Sequence, residues 1–180
     1  GAVCSDARSP SVRIRVYDPP KSSAQYGFAL ERPFLVLDGI YLNSDGMRTL
    51  DGFEQEVNQI GLIQILSELG YTPVLVQFSE TVTRNLEDNA TDFSRLLHFL
   101  NENSLFNFVN RQDGFVVMGI SQGGILGRYG AYLYSRTHSK TSAPIRLYAS
   151  LDSPHQGAVL PLSLYYTINF WAKEGGSAEA

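Results

Sequence analysis

Phe115-Val116-Val117-Met118-Gly119-Ile120-Ser121-Gln122-Gly123-Gly124 is the stretch on which the fold turns. An apolar run of strand length ends in Gly-x-Ser-x-Gly, with a glycine two residues to either side of the serine. A hydroxyl attacks a carbonyl well when the backbone holds it clear of a sheet in a tight strand-to-helix turn, and that crowded turn accepts only small residues at the two flanking positions. Gly119 and Gly123 meet the demand, so Ser121 reads as a nucleophile. With 16 glycines in 180 residues the pattern alone arises easily by chance, and the elements around it have to decide.

Those elements alternate. Val12, Ile14 and Val16 alternate with Arg13, Arg15 and Tyr17, the period of a strand with one buried face, here expected as an outer antiparallel strand. After the breaker Asp18-Pro19-Pro20, the run Phe34-Leu35-Val36-Leu37 is apolar throughout, as a central parallel strand requires, and Asp38-Gly39 ends it. Leu62, Ile65, Leu66 and Leu69 share one face of a single helix expected over residues 55–69, with Gly70 as its left-handed cap. Val74-Leu75-Val76-Gln77-Phe78 is the next strand, and Phe93, Leu96, Leu97 and Leu100 mark a second helix. The helix after Ser121 carries Gly123, Gly127, Gly130 and Ala131, a small-residue stripe that permits close approach to the sheet. Residues 145–151 are the last strand. Strand, helix, strand, helix, strand, helix, strand requires right-handed crossovers and a mostly parallel sheet with helices on both faces. Ser121 sits at a strand-helix junction of that series, which is the context its motif needs.

Composition bounds the rest. The chain suits one domain, and 43% hydrophobic residues with 12% aromatic can fill a core. Net charge is −4 with a pI near 5.3 and no basic run, which gives a nucleic-acid surface no electrostatic support. No apolar stretch approaches the roughly 20 residues of a membrane span. A single cysteine, Cys4, excludes a disulfide framework and a cysteine-based metal site. Asn89-Ala90-Thr91 is a formal glycosylation acceptor, three of the 14 basic residues are lysines, and the polar start beginning at Gly1 is compatible with a removed signal peptide. An exported protein is therefore expected.

A tetrahedral acyl intermediate places negative charge on the former carbonyl oxygen, and backbone N–H groups stabilise it best. Gln122, in the first turn of the helix after Ser121, offers one such group together with the positive end of the helix dipole. The second is expected from the loop after the first central strand, from Ile40, with Tyr41 as the alternative.

These residues together resemble the α/β-hydrolase superfamily, in particular its bacterial lipase-like and esterase-like members. Leu35-Val36-Leu37-Asp38-Gly39 is similar to the strand and His-Gly turn before the oxyanion loop, with Asp38 in place of histidine. Gly119-Ile120-Ser121-Gln122-Gly123-Gly124 with Arg128-Tyr129 is similar to the elbow and its helix. Leu151-Asp152-Ser153-Pro154-His155-Gln156-Gly157-Ala158 is similar to the Pro-His-x-Gly segment that ends the next strand. Order and rough spacing agree over residues 33–160. The Ser-Gln-Gly-Gly elbow and the His-Gln-Gly turn also resemble palmitoyl-protein thioesterases, which bears on substrate and not on fold.

The resemblance implies hydrolysis of an acyl or lipid ester through an acyl-enzyme on Ser121, with no metal and no organic cofactor. It also exposes a gap. The superfamily's acid and histidine usually follow its seventh and eighth strands, so residues 1–180 read as the amino-terminal portion of one domain, residues 161–180 as the start of a cap or lid, and a carboxyl-terminal segment or second chain as missing. Asp152 is a candidate acid, since some lipases place theirs after the sixth strand; turn-building explains it equally. His155 is a candidate triad residue at the same sheet end, with a loop-shaping role as the alternative. His98 falls on the polar face of its helix beside Ser94, Arg95, Asn101 and Glu102, His138 at a helix end where a cation suits the dipole, and Arg128 is expected to pair with a carboxylate behind the site. Thioesterase or amidase action on the same fold, and a non-catalytic binding domain favoured by Asp38, stay open.

Overall fold

The central strands are buried on both faces, and alternate side chains along them pack into two separate clusters, one under each layer of helices. The computed structural model describes residues 2–5, 12–17, 28–40, 49–78, 84–102, 106–108, 111–137, 145–157, 162, 163 and 166. In chain order the elements are β1 (Ala2–Ser5), β2 (Val12–Val16), β3 (Phe28–Leu30), β4 (Pro33–Leu37), α1 (Leu50–Gln59), α2 (Leu62–Glu68), β5 (Thr72–Phe78), α3 (Leu86–Glu102), β6 (Phe106–Phe108), β7 (Phe115–Ile120), α4 (Gln122–Thr137) and β8 (Ile145–Leu151). Six of the strands form one sheet in the order β1-β2-β5-β4-β7-β8, with β3 and β6 paired separately. The β4, β5, β7 and β8 strands are parallel, while β1 and β2 join antiparallel.

Leu35, Leu37, Val74, Val76 and Val117 point to one side and pack with Phe93, Leu96, Leu97 and Leu100 of α3 and Leu126 of α4. Val36 and Leu75 point to the other and pack with Leu50, Phe53, Val57, Ile63 and Leu66 of α1 and α2. Burying each fully enclosed phenylalanine or leucine contributes about 1.5–3 kcal/mol, so this double coverage is what holds the parallel sheet. The register fixes the faces, because a one-residue slip of β4 would exchange Val36 for its neighbours.

The structure corrects several expectations. The helix expected over residues 55–69 is two: Gly61, at φ 67°, breaks it, and the chain restarts into α2. The first of them starts earlier, at Leu50, where Thr49 caps it by accepting the Gly52 N–H at 3.1 Å. Gly70 does adopt the left-handed conformation after α2, at φ 77°. The antiparallel β2 is not outermost, because β1 pairs on its far side, a strand of four residues in which no period can show. Ser94 and Asn101 on α3 are buried, whereas His98 is exposed as expected. Tyr41, His138 and most of residues 161–180 lie outside the described residues.

The formal glycosylation acceptor is a further correction. Asn89 is 0% exposed on the inner side of α3, where its Oδ1 accepts from Arg84 at 3.1 Å, beside an ion pair of Arg84 with Asp92. A glycan on that nitrogen would tear Asn89 out of the α3 packing. Expression in a glycosylating host should leave the Asn89 peptide at its unmodified mass, with no shift on amidase deglycosylation; an occupied Asn89 in folded protein would refute the burial argument.

Among the described residues no helix is long and apolar enough to cross a membrane, and no group of three or more His, Cys, Asp or Glu side chains could hold a metal ion. On β8, Leu147 and Leu151 are 56% and 51% exposed, and the strand has one described neighbour, β7.

Candidate active site

From β4 the chain runs through α1 and α2 to β5 on one side, then returns through α3 to β7 on the other. The loops leaving β4 and β7 therefore diverge to opposite faces, and such a switch point opens a crevice at the carboxyl ends of the strands. An open cleft of about 870 Å³ lies there, lined by Asp38, Gly39 and Ile40 after β4, by Ile120 at the end of β7 and Ser121 after it, by one side of α1 that includes Phe53 and Val57, and by Ile60 just beyond α1.

Ser121 is the residue between β7 and α4, and its φ is 52°. A residue with a Cβ in that left-handed region carries a strain of about 1–2 kcal/mol, which persists only where the surroundings impose it. The surroundings here are bare backbone. A Cβ on Gly119 would run into the carbonyl group of Gly123 and the Cα of Gly124. One on Gly123 would fall 2.7 Å from the Leu37 carbonyl oxygen and closer still to that of Asp38, and one on Gly124 would strike Ser153. The first turn of α4 is thus pressed onto the ends of β4, β7 and β8 with no room for a side chain. Gly127 continues this contact against Leu37, Val117 and Tyr148, but Gly130 faces α3 instead, against Phe93 and Ala90.

The Ser121 N–H is used by the Leu151 carbonyl at 2.8 Å, which ties the turn to β8. Gln122 is the first residue of α4, so its N–H lies at the positive end of the helix dipole. On the opposite wall Asp38 is 3% exposed; its N–H continues the ladder to Val76 at 2.9 Å and its Oδ1 accepts the Gly39 N–H at 2.8 Å. That hydrogen bond shapes the loop and leaves Ile40, which is exposed, at the rim of the cleft. The structure therefore brings Ser121 and Ile40 to one cleft, with Gln122 next in the chain.

The other candidates lie at the end of β8. Asp152 is exposed at φ 48°, a conformation that aspartate tolerates better than most residues, and it makes no hydrogen bond or ion pair to a described residue. His155 is exposed, with its Nε2 2.9 Å from Ser150 Oγ and 3.3 Å from the Tyr148 hydroxyl, and its ring stands edge-on to the Tyr148 ring. It has no hydrogen bond to Ser121, so its contacts fit the loop-shaping alternative. Arg128 is exposed and, among the described residues, has no carboxylate within ion-pair distance, contrary to expectation. Its charge acts instead on Tyr148, whose hydroxyl is pushed above the usual tyrosine range mainly by burial, against smaller opposing effects of Ser150 and Arg128.

Sequence reasoning missed Tyr148 and the α1 wall of the cleft. The second glycine of Gly123-Gly124 was the signal for the first, since a helix that needs two bare positions in its opening turn has close neighbours on two sides. Nothing in the sequence of α1 marked it as a cleft wall.

No protein-family model matches the chain, and no curated protein matches it. Solved structures do. Vibralactone cyclase superposes with a TM-score of 0.56 at 20% identity, covering 79% of this chain and 39% of that one. The esterase Est2 of the Planctomycetes species Thermogutta terrifontis gives TM-scores of 0.51 with propionate bound and 0.52 with butyrate bound, at 12% and 11% identity. Those two alignments cover 79% of this chain and 50% and 49% of the esterase. The chain thus spans half or less of the length of the structures it matches, and at such identities the likeness concerns the fold.

Proposed function

The chain has the α/β-hydrolase fold, and on that premise we propose that it is the nucleophile-bearing part of a serine hydrolase that cleaves carboxylic esters. Ser121 Oγ attacks the ester carbonyl carbon while its proton passes to a histidine base supplied from beyond these 180 residues. The tetrahedral oxyanion is held by the N–H groups of Gln122 and Ile40. Collapse breaks the acyl C–O bond, the alcohol leaves with the proton returned by the base, and water repeats the sequence on the acyl-enzyme to release the acid. The same additional chain, or a second one, would cover the exposed edge at β8.

One observation carries this reading: the left-handed φ of Ser121 at a strand-helix junction that opens on the cleft. Strain of that kind recurs where a group must be presented rather than packed. The apolar cleft residues Ile40, Phe53, Val57, Ile60 and Ile120 suit an acyl chain. Asp38, the one residue that spoke for a non-catalytic domain, is engaged in shaping the oxyanion loop. A fluorophosphonate probe applied to the full-length protein should label Ser121, as peptide mass spectrometry would show. Labelling at another residue, or turnover of ester substrates without labelling at Ser121, would sink the proposal.

A further inference from the structure

Bare-backbone contact at Gly119, Gly123 and Gly124 sets how near the first turn of α4 comes to the sheet, and at its two glycines the helix has no side chain of its own to hold it there. A polar tie is present at that turn. The Tyr148 hydroxyl donates to the Gly124 carbonyl oxygen at 2.5 Å, reaching from the middle of β8 on the α4 side of the sheet.

Donor and acceptor counting extends the tie. A carbonyl oxygen only accepts, so the single Tyr148 proton is committed to Gly124, and the Tyr148 oxygen can only accept from His155 Nε2, 3.3 Å away. A hydrogen bond there uses a proton on Nε2, which it can share with Ser150 Oγ at 2.9 Å; in the other tautomer the Ser150 hydroxyl donates to Nε2 and the link to β8 runs through Ser150. The Nε2–H tautomer and the imidazolium both satisfy the bond to the Tyr148 oxygen. At the same place Ser153 Oγ donates to the Leu151 carbonyl at 3.2 Å, the acceptor that also takes the Ser121 N–H at 2.8 Å. The β8 strand is thus bonded to both sides of the turn that carries Ser121, through Leu151 and Tyr148, and the loop after it is bonded to those same β8 residues.

We propose that Tyr148 and His155, with Ser150, form a brace that fixes the first turn of α4, and that they are positioning residues for the Ser121 centre. The proposal rests on the reading of Ser121 as nucleophile. The brace acts on the Gln122 N–H through the Gly124 carbonyl, and on nothing the substrate touches.

The test uses the full-length protein, a p-nitrophenyl ester and the fluorophosphonate probe. Tyr148→Phe removes the hydroxyl and keeps the ring. It should lower kcat and the rate of labelling at Ser121 by about tenfold, the scale on which small misplacements of reacting groups act, with KM within about twofold. His155→Ala, at an exposed position, should give a smaller loss of the same kind. His155→Gln, whose amide N–H can still donate to the Tyr148 oxygen, should restore most of it. Parent-like kcat and labelling in Tyr148→Phe and His155→Ala would overturn the brace, as would a loss confined to KM, or no rescue by glutamine. A parent protein that is not labelled at Ser121 would instead overturn the nucleophile reading on which the brace stands.

Discussion

Ser121→Ala should abolish ester hydrolysis by the full-length protein while leaving its stability within about 0.5 kcal/mol of the parent, because alanine keeps the Cβ and so the same left-handed strain. The loss expected for removing the nucleophile of such a centre is roughly four to six orders of magnitude in kcat. The matching change, Ser121→Gly, should be equally inactive but more stable. Relief of the strain at φ 52° gains about 1–2 kcal/mol, and the greater freedom of glycine in the unfolded chain offsets about 0.5–1 of it. A net gain near 1 kcal/mol corresponds to a rise of about 2–4 °C in Tm for a domain of this size. Calorimetry on the pair, beside kcat, separates two statements. Retained activity in Ser121→Ala would remove the nucleophile, and an unchanged or lowered Tm in Ser121→Gly would remove the claim that the turn stores strain for presentation.

How far the chain could be read without coordinates follows from where information is local. Residues 34–37, 74–76 and 115–118 each show an unbroken apolar run because both faces of a central parallel strand are covered, so their place in the sheet was legible. The break at Gly61 was not, because Leu62, Ile63 and Leu66 continue an apolar pattern past it and only the backbone angle shows the restart. The polar interior of α3 was misread for a related reason. Ser94 and Asn101 look solvated by type, yet both are buried, and α3 packs against α4, whose position nothing local in α3 reports. At the site, Ser121 and its glycines announce themselves because a steric demand acts on adjacent residues. The ties through Leu151 and Tyr148 join residues 30 and 24 positions apart, and no local pattern carries them.

Gly123→Ala should be among the most damaging single substitutions in the chain, although it adds one methyl group. That methyl would lie 2.7 Å from the Leu37 carbonyl oxygen and nearer still to the Asp38 oxygen. Neither atom can rotate aside: Leu37 ends β4, and the Asp38 N–H is fixed to Val76 at 2.9 Å in the sheet ladder. Relief therefore requires α4 to retreat from β4 or its first turn to unwind. Overpacking against backbone that cannot move is expected at the upper end of such costs, about 3 kcal/mol, or roughly 6–12 °C in Tm at this chain length. The control is Gly61→Ala, where a Cβ would meet nothing within 4 Å and the cost is only that of the left-handed φ, about 1–2 kcal/mol. Chemical unfolding of the two variants beside the parent gives the comparison directly. If Gly123→Ala were no more destabilised than Gly61→Ala, the first turn of α4 would not be pressed against β4, and the strain at Ser121 would have lost the contact that imposes it. If the order holds, any Gly123→Ala protein that still folds should also turn over ester slowly, because the retreat that relieves the clash carries the Gln122 N–H away from the position it must hold for the oxyanion.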